Sequence, residues 1–208
     1  MEDADVIMSR STLGEDVEGM KEALYEKVKN TMQQAYQLRY HWEQDHTNAC
    51  KEVPSTDYSP NPSADQGCSP FPKVLHFSKM DRAIEIVFFN TLHLLLDTLL
   101  DSIAPEMASS HRPLGLRAYF GPFQNTLLLP GLGNGEDYAL EICRIVDFMS
   151  HCKHDSLGMF MLLFPLYVAR ESLTRRPDVC AWIGRIMNQL VREKGFNIGE
   201  VLSDGTAY

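Results

Sequence analysis

The residues best placed for chemistry lie in a strongly apolar segment, SKMDRAIEIVFFNTLHLLLDTLLDSIA, residues 78–104. Asn90, His93, Asp97 and Asp101 follow one another at spacings of three, four and four. On a helix they line one narrow stripe, with Ile, Val, Phe and Leu around the rest of the circumference. A carboxylate four residues from a histidine can hold its tautomer for acid–base work. The same pair also serves a buried helix that needs somewhere to satisfy its few polar groups. As the one ionisable stripe within an apolar surround, it is the expected place for an effector or partner pocket. Trp42, in YQLRYHWEQDH, is a candidate aromatic anchor beside it.

Other constellations carry less. Cys143, Asp147, His151 and His154 run along one side of a helix, but four ligands spread over about 16 Å of a straight helix cannot close a tetrahedron. At most two of them can share an ion, so no metal site is expected. GLGNGED, residues 131–137, has glycines ahead of a helix but neither a preceding strand nor a following lysine, and reads as an Asn-Gly loop with an acidic helix start. There is no GxSxG elbow, no HExxH and no CxxC pair. The expectation is a non-enzyme without catalytic residues, metal or cofactor; the alternative is a small helical enzyme or ligand-binding protein with a pocket near His93 and Asp97.

The elements that must position these residues follow from periodicity. Over residues 15–46, Val17, Met20, Leu24, Val28, Met32, Ala35, Leu38 and Trp42 recur at threes and fours, which predicts a long helix. Residues 48–72 turn to Pro, Ser, Asp and Gly and read as a long loop. The 78–104 helix should be nearly engulfed, with Asp81 in its first turn. Residues 105–135 are a Gly/Pro-rich connector with short helical turns at most. Tyr138, Ile142, Ile145, Met149 and Cys152 mark an amphipathic helix.

LLFPLYVA, around Pro165, is expected inside a helical core. Pro177 opens a last helix with Val179, Trp182, Ile186 and Leu190 on its buried face, stopped at Gly195. No alternating run suggests a strand. The fold class predicted is all-α: an irregular multi-helix bundle with two long loops, one domain over 15–208 after a flexible 1–14.

The chain has 208 residues, 44% hydrophobic, with a net charge of -9. That acidic balance argues against direct nucleic-acid binding, and Arg175-Arg176 is too small a basic patch. The apolar run at 157–169 is shorter than the about 20 residues a bilayer requires, and the acidic start MEDADVIMSRS does not resemble a secretory signal. A non-secreted, non-membrane protein is expected. Its five dispersed cysteines should be reduced thiols, in keeping with a cytosolic or nuclear setting.

ALEICRIVDFM, MLLFPLYVARES and a Trp-bearing helix ending in EKGFNIGEVL together resemble the regulatory (middle homology) region of fungal zinc binuclear-cluster transcription factors. YQLRYHWE, the proline-rich insertion and FSKMDRAIEIVFFNTLHLLLDTLL resemble its preceding helices in the same order. The resemblance implies an all-helical, non-catalytic regulatory domain in the nucleus, acting through protein co-regulators or a small-molecule effector. The closely spaced six-cysteine finger of that family is not present, and the 208 residues correspond to the later portion of its helical region. A homodimer is open as well: the stripe over 15–42 can pair with a second chain or cover the 78–104 helix.

Overall fold

Among the described residues five segments form helices, and two short segments pair as antiparallel strands. In this computed structural model the described residues are 18–58, 69–103, 105, 127–151 and 156–194. The helices are α1 (Glu18–Asp45), α2 (Met80–Ile103), α3 (Gly135–His151), α4 (Ser156–Ser172) and α5 (Pro177–Lys194). The predicted flexible 1–14, most of the 105–135 connector, His154 and the Gly195 stop lie outside the described residues.

The protein is mostly helical rather than purely so. Within and beside the expected 48–72 loop, strands β1 (Cys50–Pro54) and β2 (Lys73–Phe77) pair antiparallel, with Cys50 opposite Phe77 and Pro54 opposite Lys73. Alternation could not reveal them. Each strand is five residues long, and β2 buries Val74, Leu75 and Phe77 together because α3 covers it. Arg144 of α3 secures that packing, since its guanidinium bonds the Lys73 carbonyl at 3.4 Å and pairs with Glu52.

The core centres on α3, whose Ile142, Ile145 and Met149 are fully enclosed. It packs against α2 and α4, and α4 in turn packs against α5, with Leu166, Trp182 and Ile183 all in the same apolar core. The predicted buried face of α5 holds at Val179, Trp182, Ile186 and Leu190. Helix α4 runs through Pro165 without a break, although proline has no N–H to give the carbonyl a turn earlier. Of its apolar run, Leu162, Leu163 and Leu166 are buried while Phe160 and Phe164 face outward.

Helix α1 lies against α2, with Leu24 and Val28 facing Leu96, Leu99 and Ile103 in a second, smaller apolar cluster. Trp42 at the other end of α1 reaches Glu85 near the start of α2, so the two helices are antiparallel. Two expectations change here. The spacing puts Met20 and Leu38 on the buried stripe of α1, but they are 37% and 61% exposed, and Arg39 takes the inward position beside Leu38 at 4%. Nor is α2 engulfed, because Phe88, Leu92 and Leu95 form an outward strip opposite its packed faces. Among the described residues, α2 is the one helix long and apolar enough to cross a membrane. In this fold it lies against α1, α3 and α4 and carries Asn90 and His93 into the interior.

Candidate functional site

The candidate site forms where α1, α2 and the loop ahead of α3 meet, and its local structure starts with that loop. Asn134 caps α3: its side-chain oxygen accepts from the Asp137 N–H at 3.2 Å, and the Asp137 carboxylate accepts from the Asn134 N–H at 3.4 Å. This reciprocal capping box is what the Asn-Gly-Glu-Asp sequence encodes. Gly133 lies flat on Tyr138, whose ring would be 2.9 Å from an added Cβ.

Gly131 turns the chain at φ +77° beside the Tyr36 ring. A Gly131→Ala substitution should cost about 1–2 kcal/mol, through the left-handed backbone alone, since its new Cβ would meet Tyr36 at an ordinary 3.8 Å. Urea unfolding of the two proteins measures this, and equal midpoints would refute it.

Behind the loop is a buried polar cluster. Glu141 of α3, 2% exposed, accepts from Asn90 Nδ2 at 2.9 Å and from the Leu128 N–H at 2.6 Å. Arg39 of α1 donates to the Leu128 carbonyl at 3.3 Å and pairs with Glu43. The backbone of Leu128 is thus gripped from both sides by side chains of two helices. Burial raises the Glu141 pKa, and the charge of Arg39 and the bonds from Asn90 and Leu128 oppose that rise.

His93 sits beside this cluster between two tyrosine rings. Tyr36 stacks on it at 4.5 Å between centroids and Tyr138 at 5.0 Å, nearly parallel in both cases. The imidazole is 2% exposed and its Nδ1 has no hydrogen-bond partner among the described residues. Burial, with a smaller contribution from the Arg39 charge, lowers its pKa to about 4, so it is neutral at physiological pH.

Above Tyr36 opens a groove of about 560 Å³, walled by Tyr25, Tyr36, Tyr40 and His41 of α1, by Asp97 and Asp101 of α2, and by the Pro130–Asn134 loop. Asp97 lies by the start of α3, its Oδ2 3.8 Å from where a Gly135 Cβ would stand, and the positive end of that helix favours its charge.

The expected site residues therefore separate into three places. Asp97 and Asp101 line the groove; Asn90 and His93 lie in the interior beneath it; Trp42 is elsewhere. Trp42 donates its indole N–H to Glu85 at 2.6 Å, lies 5.0 Å from the Arg39 guanidinium and stacks with His46. Asp97 does not hold His93 through Nδ1. Of the metal-like stripe, Cys143 is buried with its thiol pKa pushed up, while His151 is exposed and bonded at Nδ1 to the Asp147 carbonyl.

Glu141, Arg39 and the tyrosines were not expected as site residues. A signal existed for Glu141, which falls three after Tyr138 and four before Ile145, on the face expected to be apolar. No family model matches the chain, and neither a curated protein nor a solved structure is found to be similar to it.

Proposed function

We propose that the chain is a non-enzymatic regulatory module that receives a small-molecule effector in the α1–α2 groove. The observation that carries this reading is the placement of the groove directly over a loop held by Arg39 and Glu141. Occupancy of the groove bears on Pro130–Asn134, and that loop is bonded through Leu128 to two of the packed helices. A role in transcription control, in the nucleus and with co-regulator proteins as partners, is proposed from the sequence resemblance. An enzyme using His93 as a base has less support. His93 does not line the groove, and its low pKa leaves it a weak base.

Tethering the full chain to a promoter through an unrelated DNA-binding domain tests the regulatory reading. Reporter output should change relative to the tether alone, and Gln33→Trp, which crowds the groove from an exposed position of α1, should remove the response. A reporter indifferent to the tethered chain would refute it.

A further inference from the structure

We infer that the groove takes an organic cation, with a protonated or quaternary amine directed at Asp97 and Asp101 and an apolar or aromatic body on Tyr25, Tyr36, Tyr40 and His41. This rests on the effector reading of the same groove and names the chemistry of what it would hold.

The argument begins with the volume. About 560 Å³ lies within the range of about 300–1,000 Å³ usual for small-molecule sites. The walls divide by chemistry: α1 contributes the rings, and α2 contributes two carboxylates one helical turn apart. Ring faces carry negative electrostatic potential and attract ammonium groups. Carboxylates and ring faces thus favour the same sign of ligand. Both carboxylates already interact within the protein, so a ligand would share them.

The positive charges nearby do not reverse this. Lys29 also lines the groove, but its ammonium lies 3.5 Å from Glu26. Arg39 is outside the groove lining and is engaged by Glu43 and the Leu128 carbonyl. His93 is neutral beneath the floor.

His93 supplies an independent observation. Its Nδ1 is unpartnered, and the residue lines a cleft of about 10 Å³ that shares Tyr36, Pro130 and Gly131 with the groove. That is room for about one water. A water held there would let the neutral imidazole act on a polar atom lodged against Tyr36. Arg39 also lines that cleft, but its guanidinium is engaged by Glu43 and the Leu128 carbonyl, so an anionic ligand would meet two carboxylates and below them only a cation that is already paired.

The test is calorimetric titration of the full chain with three probes sharing a phenyl ring: benzyltrimethylammonium, benzyl alcohol and phenylacetate. The cation should bind best, and added salt should weaken it. Asp97→Asn with Asp101→Asn should weaken it about tenfold or more while leaving the benzyl alcohol affinity unchanged. Tyr40→Leu, at an exposed ring and independent of the acidic pair, should also weaken the cation. Phenylacetate binding as tightly as the cation would overturn the ligand class and leave the groove as an effector site. Binding of no probe would overturn the inference outright, while the promoter-tethering result decides the regulatory reading separately. Cation binding in a protein silent at the promoter would uphold the ligand class and refute that reading.

Discussion

Glu141→Ala is expected to destabilise the protein by about 3–5 kcal/mol, the range found when one member of a buried charged network is removed. Three losses combine. The buried Asn90 amide and the partly buried Leu128 N–H each lose their carboxylate acceptor, and a donor stranded away from water costs about 1–3 kcal/mol. The Arg39 guanidinium, 4% exposed as a residue, loses the buried carboxylate whose pKa its charge helps to hold down. A cavity remains against Ile142 and its neighbours. Glu141→Gln keeps the volume and one acceptor oxygen, and should therefore cost less than Glu141→Ala. Urea unfolding at a constant m-value reads both, and an alanine variant within about 1 kcal/mol of wild type would refute the role of Glu141.

The second large effect concerns acid. The folded state holds His93 at a pKa of about 4 against an ordinary 6.5. Its neutral form is therefore fully accommodated above pH 6.5, and stability is lost as pH falls toward 4, where the unfolded chain binds a proton that the folded chain refuses. At about 1.4 kcal/mol per pH unit the loss approaches about 3 kcal/mol at pH 4.

Glu141 titrates with the opposite sign. Its pKa is raised chiefly by burial, so its contribution is greatest in acid and declines as pH rises through the folded value. The measurement must therefore isolate His93. Phe replaces the imidazole between Tyr36 and Tyr138 without an ionisable group. At pH 7, His93→Phe should be at least as stable as wild type, since it removes an unpartnered buried nitrogen. Between pH 7 and pH 4 the difference between the proteins should move by about 3 kcal/mol in favour of Phe. Parallel pH profiles for the two would refute the burial of a neutral His93.

Helices were legible in the sequence where apolar periodicity was strong. The buried face of α5 and much of that of α3 fall where spacing puts them. The errors arise where tertiary packing chooses between adjacent positions. Leu38 and Arg39 are neighbours on α1, and hydrophobicity alone favours Leu38 for the interior. Arg39 takes it because Glu43 and the Leu128 carbonyl satisfy its guanidinium, a consideration that requires residue 128 to be placed beside residue 39. The strand pair escaped for a related reason: β2 is buried by α3, which follows it by dozens of residues.

The stripe of Asn90, His93, Asp97 and Asp101 was readable as one helix face. Its division into an interior half and a groove half was not, because the loop and α1 decide where water reaches. Glu141 shows the limit from the other side, a charge on a correctly read apolar face whose partners come from residues 90 and 128.

The ladder between β1 and β2 also bears on how register is kept in this protein. Strand pairing brings the ends of the intervening chain together, with the Ser55 N–H bonded to the Pro72 carbonyl at 3.1 Å. The helices are tied to this ladder through Arg144 of α3, which pairs with Glu52 of one strand and bonds the Lys73 carbonyl of the other, so a slip in register would pull apart two anchors at once.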